Sequence, residues 1–362
     1  MKDETSIANT SLKQFLSHID TKQDLTIYLS QKTIEKFNTM GITYVVTYDT
    51  MSVTNINQME IDLKIHDHEE ADTLLVLHAI EIAKRIPLCE CYIFSPDTDV
   101  FLLSINFYES LPNVTMFWTG RGDNLRCIDI GKCYESLGSQ RASAMLGFHT
   151  FTGCDQTGKF NGKSKIACWK VFTRSDDDIL RALSALGEDE GPPTQETLES
   201  LERFVVSLYG GNSCPTHVKT LPQLRWYLYS KFQTDADKLP PTMSALKFKI
   251  FRSHYVSLVL RRACQPLQNL PSPDINGWKR QNDALTPIMT DNLPAPMAMI
   301  ELSVCGCKSN CQNNRCKCRK NRLPCTDMCK CTGCTNSTED GEDDEFGESD
   351  NDLNTGSDDD DD

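Results

Sequence analysis

Nine cysteines crowd into thirty residues near the C-terminal end of this 362-residue chain, and their spacing is that of metal ligands. They fall into three triplets: Cys305, Cys307 and Cys311; Cys316, Cys318 and Cys325; Cys329, Cys331 and Cys334. Each triplet opens with Cys-x-Cys. Only Val304, Leu323 and Met328 supply apolar bulk in or beside this stretch, too little for a core, so metal must hold it together. Structural Zn²⁺ takes four thiolates, and nine thiolates serve three zincs if three sulfurs bridge. A disulfide knot fails on the odd count. It also fails on compartment: MKDETSIANT carries no apolar signal segment, so the 17 cysteines are expected in a reducing environment. Seven basic side chains (Lys308, Arg315, Lys317, Arg319, Lys320, Arg322 and Lys330) stand against Asp327, a balance of +6. Nine thiolates and three Zn²⁺ lower it to about +3, enough for several phosphate contacts. A zinc-held knob for protein contacts is the competing reading.

A second set of chemistry-bearing residues lies upstream, in HEEADT (68–73), SPDTD (95–99) and GCDQT (153–157). Glu70 and Asp72, Asp97 and Asp99, and Asp155 each lie where a helix begins or a strand ends. Any one has an ordinary explanation, because acids cap helix N-termini and favour the dipole. Gathered at one sheet edge, five carboxylates would need cations. Two Mg²⁺ or Mn²⁺ ions would supply +4, and paired metals are the apparatus of phosphodiester hydrolysis.

The elements that must position them are legible in the hydrophobic pattern. Residues 11–38 read as one or two helices, ITYVVTY (42–48) as a buried strand, 69–85 as an apolar helix and 90–95 as a strand leading into a helix from Thr98. NVTMFWT and LRCIDI read as a strand pair joined by a tight turn at 120–123, and the chain beyond is helical to about Cys264. Alternating strands and helices argue for an α/β sheet with a helical extension. Residues 265–300 hold six prolines and read as a linker. His66 and His68 have no partner at metal-ligand spacing and read as surface or supporting residues. The helix over 247–262 is basic on one side, suiting either DNA tracking or a solvated face. From Glu339 on there are 14 acidic residues and no Lys or Arg, a block expected to be disordered. It accounts for the net charge of −14, so the acidic balance does not exclude a DNA partner.

The string CGCKSNCQNNRCKCRKNRLPCTDMCKCTGCTN resembles the CXC (tesmin-like, also called CRC) zinc domain, in a single copy and with a three-residue first spacer where many members have four. The resemblance implies DNA binding, with Arg315 entering a narrow minor groove and Lys317 and Arg319 beside it. The order Glu70-Ala71-Asp72, Asp97-Thr98-Asp99, Gly153-Cys154-Asp155 resembles the flap-endonuclease/PIN-like (XPG-type) nuclease superfamily over roughly residues 40–175. HEEADTLLVLHA and SPDTDVFLL further resemble transposon-associated animal proteins. The resemblance implies that Glu70, Asp72, Asp97, Asp99 and Asp155 hold catalytic Mg²⁺ or Mn²⁺. It implies a helix–two-turn–helix element over 158–172 that grips duplex phosphates through Gly158, Gly162, Lys159, Lys163 and Lys165. The superfamily pattern also opens with a strand ending in an aspartate. No such strand precedes the first helix here and Asp49 is the nearest substitute, so either the sequence is truncated upstream or the carboxylate ring is incomplete.

The expected architecture is therefore an α/β nuclease-like domain (1–175), a helical extension (176–264), a linker (265–300), a zinc module (301–336) and an acidic tail (337–362). The expected function is a nuclear, DNA-binding, metal-dependent endonuclease, or else a non-catalytic DNA-binding or chromatin-associated scaffold whose nuclease fold has decayed. No apolar run is long enough for a membrane span. The sequence leaves oligomeric state and DNA preference open.

Overall fold

A computed structural model describes residues 11–49, 51–56, 66–86, 88–211, 214–232, 238–282, 284–292, 305–308, 310–325 and 329–337. The acidic tail lies outside them. The chain divides into two compact units, Met1–Asp291 and Asn292–Asp362. The first is a mixed α/β structure with small sheets; the second holds the cysteine cluster.

The first unit opens with α1 (Leu12–Phe15) and α2 (Ile19–Met40). Gly41, in the left-handed region at φ 66°, ends α2 by donating its N–H to the Asn38 carbonyl. The β-branched run beyond forms only a four-residue strand, β1 (Val45–Tyr48), in an antiparallel hairpin with β2 (Met51–Thr54). It is half-buried rather than buried, because it pairs in a two-stranded hairpin and not within a larger sheet. Asp49, at φ 54°, belongs to the hairpin turn.

The main sheet has three strands. β3 (Glu90–Phe94) runs parallel to β4 (Val114–Thr119), with α4 (Thr98–Asn106) in the crossover, and β5 (Arg126–Asp129) is antiparallel to β4. The β4–β5 connection is longer than the tight turn expected, because a 3-10 turn at Gly122–Asn124 occupies it. Ile93, Val100, Ile105, Phe117 and Ile130 form the core between this sheet and its helices, α3 (Ala71–Arg85), α4 and α5 (Ile130–Leu137).

The larger core lies in the helical part, around α6 (Ser139–Thr152), α7 (Lys165–Phe172), α8 (Asp177–Ala185), α9 (Gln195–Gly210), α10 (Leu221–Phe232) and α11 (Met243–Arg261). Phe151, Phe172, Phe204 and Leu183 are fully buried within it. Gly147 is what lets α6 and α8 touch: a Cβ there would overlap the Leu183 carbonyl.

Of the basic residues of α11, Lys247 is exposed, whereas Lys249, Arg252 and Arg261 turn their heads onto backbone carbonyls. Lys249 donates to the Gly158 carbonyl, Arg252 to the Gly277 and Ile288 carbonyls, and Arg261 to those of Ser143, Ser184 and Leu186. Residues 265–292, proline-rich and expected to be irregular, carry a 3-10 turn (Pro273–Ile275) and a hairpin of β6 (Trp278–Gln281) and β7 (Ala284–Pro287). The Arg252 bonds fasten that hairpin to α11. Among the described residues, no helix is long and apolar enough to cross a membrane.

Gly147→Ala should destabilise the first unit by about 1–3 kcal/mol through overpacking. Gly158→Ala, which meets open space at an ordinary φ, should stay within about 0.5 kcal/mol. Thermal denaturation of the two variants checks the contrast, and equal melting temperatures would refute the close α6–α8 approach.

Candidate functional site

The three acidic motifs come together in the first unit. Glu70 is the N-cap residue of α3 and Asp72 stands in its first turn. Asp97 caps α4, its carboxylate accepting the Asp99 N–H at 2.9 Å. Asp155 lies in the loop after α6. Capping thus explains Asp97 in part, but not Glu70, whose side chain caps nothing. The convergence is visible in the electrostatics. Burial, then repulsion from Asp97, Asp99, Glu70 and Asp155, pushes the Asp72 carboxyl up to about 6. Burial also raises Glu70, with Asp99 and Asp155 adding to it, while a 2.7 Å hydrogen bond from Gln156 Nε2 opposes the shift.

Asp99 is the exception, because a histidine ring stands against it. The His149 ring at the end of α6 brings Nε2 within 2.9 Å of Asp99 Oδ1, off the angle of a regular hydrogen bond, and holds Asp99 below the usual carboxylate range. His149 and Gln156 were not singled out from sequence. Gln156 had a signal, its adjacency to Asp155; His149, inside an apolar helix, had none.

The element joining α6 to α7 contains two turns, Cys154–Thr157 and Phe160–Lys163, each closed by backbone hydrogen bonds. Phe160 anchors the loop in the core against Phe151, and Tyr209 donates to the Asn161 carbonyl at 2.8 Å. Its three lysines have different surroundings. Lys159 is exposed, and Lys163 lies 4.7 Å over the Tyr209 ring. Lys165, although exposed, folds its ammonium back onto the chain, donating to the His149 carbonyl at 2.9 Å and the Gly153 carbonyl at 2.6 Å, and desolvation lowers its pKa. It braces the end of α6, and its charge also favours an ionised Asp99.

His66 and His68 are buried, not at the surface. His68 bridges Thr73 Oγ1 (2.8 Å) and the Gln265 carbonyl (2.7 Å), tying the start of α3 to the segment after α11.

In the second unit, all nine cysteines are reduced and gathered into one cluster. They form four overlapping tetrads whose sulfurs lie within 4.8 Å of one another. Cys305 and Cys325 each occur in three of them, and every one of the nine occurs in at least one. Sulfur–sulfur distances are 3.8 Å for Cys305–Cys311, 3.9 Å for Cys305–Cys325, 3.8 Å for Cys316–Cys325 and 3.6 Å for Cys318–Cys329. Four sulfurs placed tetrahedrally at the Zn–S distance of about 2.3 Å stand about 3.8 Å apart, so the cluster has the dimensions of a zinc–thiolate site. Asn336, just past the last cysteine, closes the fold by donating to the Leu323 carbonyl and accepting from the Cys325 N–H. Around the sulfurs, Lys308, Arg315, Lys317, Arg319, Lys320, Arg322 and Lys330 are all exposed. Arg315 stands on the turn before the helical turn Lys317–Lys320, its N–H held by Asn313.

The carboxylates are less tightly gathered. Among the described residues, every group of three or more metal-ligating atoms within 4.8 Å of one another consists of cysteines. No protein-family model, curated protein or solved structure matches this chain.

Metal analysis of the full chain should return about three zincs, with each shared thiolate counted twice; one or none would sink the shared-thiolate cluster. The Asp72 shift gives a pH test. Because the carboxyl is raised, the folded chain takes up a proton more readily than the unfolded one, and repulsion is relieved as pH falls from about 6 towards 3.8. Asp72→Asn, mimicking the protonated form, should raise the melting temperature at pH 7 without added divalent metal. The gain should fade through that window and be absent below pH 3.8; no gain at pH 7 would show that the carboxylates do not repel.

Proposed function

We propose that this is a nuclear DNA-binding protein whose carboxylate cleft hydrolyses phosphodiester bonds in structured DNA with Mg²⁺ or Mn²⁺, and whose zinc unit supplies affinity for DNA. The observation carrying the proposal is the convergence of Glu70, Asp72, Asp97, Asp99 and Asp155, whose repulsion adds to burial in raising the Asp72 carboxyl to about 6. Carboxylates kept charged against one another at neutral pH suit divalent cations, which remove the repulsion. The order of the three motifs, and two turns between helices after the third, accord with the flap-endonuclease/PIN-like resemblance.

In this reading Glu70, Asp72, Asp97 and Asp155 hold the metal, with Asp99 beside them. The bound metal would supply an activated water and charge stabilisation at the leaving oxygen. The chain's own residues set up the ligands: Gln156 orients Glu70, and His149 and Lys165 keep Asp99 ionised. Lys159 on the exposed loop would meet a phosphate. In the second unit the exposed basic side chains around the zinc–thiolate cluster would contact phosphates with strong salt dependence, Arg315 reaching into a narrow minor groove.

One observation favours a second reading, a non-catalytic DNA-binding or chromatin-associated scaffold. Asp99 already has the His149 ring against its carboxylate, and the carboxylate oxygens do not close to the spacing that the sulfurs reach. Cleavage of branched and flapped DNA in Mg²⁺ or Mn²⁺ separates the two. Wild type should cut, and Asp97→Asn and Glu70→Gln should each lower the rate by roughly 100-fold or more, the scale on which a metal ligand matters. Equal background cleavage by all three proteins would leave the scaffold reading standing.

A further inference from the structure

A cavity of about 450 Å³ opens beside the first turn of α3, between α11 and the segment that follows it. Its walls are apolar and aromatic, including Val259 and Tyr255 of α11, Leu270, and Trp278 of β6. Asp67, Glu69 and Glu70 line it too, and no Lys, Arg or His does. Glu69 is near enough to Tyr255 that its charge helps burial raise the phenol's pKa. Trp278 brings an indole N–H that is buried without an acceptor among the described residues.

A second cavity, of about 360 Å³, makes the sign of the first informative. Gln156 and Trp278 line both, so the two are neighbours. The second is lined by Lys159, Lys249 and Arg252 and by no carboxylate. An anion or a phosphate therefore has a place to go that is not the first cavity. What suits the first is a positive head with an apolar stem: the stem loses water against Val259 and Leu270, and the head gains the carboxylates and the aromatic faces.

We propose that the first cavity binds an alkylammonium group, the chemistry of a lysine or methylated lysine side chain presented by a basic partner. Glu69 and Asp67 supply the charge, Tyr255 and Trp278 the aromatic walls. The proposal does not depend on DNA cleavage; it would stand if the carboxylate cleft were inert.

The test holds the stem constant and changes the head. The full zinc-loaded chain, ¹⁵N-labelled at its tryptophans and without added Mg²⁺, is titrated with n-hexylammonium, hexan-1-ol, hexanoate and deoxycytidine. The Trp278 indole resonance is identified by its loss in Trp278→Phe. Hexylammonium should shift that resonance saturably and bind at least about tenfold tighter than hexan-1-ol, a difference of about 1.4 kcal/mol, while hexanoate should not bind. Glu69→Gln should weaken hexylammonium by about 3- to 10-fold. Val259→Trp, which fills the cavity, should abolish the shift while the resonances of Trp118, Trp169 and Trp226 stay in place. Equal binding of alcohol and ammonium, or a shift with deoxycytidine and none with hexylammonium, would overturn the proposal, as would an unchanged affinity in Glu69→Gln.

Discussion

The first unit depends on cations buried against backbone carbonyls. Loops such as 153–163 and the 277–288 hairpin have carbonyls that no helix or sheet satisfies, and an unpaired buried carbonyl costs about as much as a lost hydrogen bond. Lys249, Arg252 and Arg261 of α11 meet that demand at Gly158, Gly277, Ile288, Ser184 and Leu186. Lys165 does the same for the end of α6. Burial lowers the pKa of Lys249 to about 8, so the arrangement depends on hydrogen bonding as much as on charge. One helix thereby fixes the loop carrying Asp155 and Gln156 and the hairpin carrying Trp278, and so sets the walls of both cavities.

The two candidate sites pose one physical problem at different stages. Like-charged or readily ionised ligands are held close by the fold, and only a cation relieves them. In the second unit the sulfurs already stand at tetrahedral spacing, because nothing else could organise so short a stretch. In the first unit the fold is held by its own core, so the carboxylates can remain farther apart, with Asp72 raised and Asp99 matched by His149. A large core tolerates a cluster of mutually repelling charges, whereas a small unit has no such reserve.

What the sequence made legible follows from the range of each signal. Helices such as α3 and α4, and strands β3 and β4, were readable because their hydrophobic periodicity is local. The three acidic motifs were readable because each sits at an element boundary. The role of α11 was not, because a basic stripe looks the same whether it faces water or distant carbonyls; Arg261 reaches Ser143 across 118 positions. Burial of His66 and His68 was hidden for the same reason, since the Gln265 carbonyl that engages His68 lies 197 positions away. The β6–β7 hairpin was masked by flanking prolines, although Asn282, at φ 50°, stands at its turn as short polar residues do.

The sulfur spacing has a chemical consequence beyond metal affinity. Thiols 3.6–3.9 Å apart need to close by less than 2 Å to reach the bond length of a disulfide, about 2.05 Å. Metal-bound sulfurs are held at the longer distance with their lone pairs engaged, whereas metal-free ones are neighbours poised for two-electron oxidation. With nine of them, pairing always leaves one over. The odd cysteine makes oxidation of this unit an unfinished reaction, with a thiol left to join another chain or a small thiol.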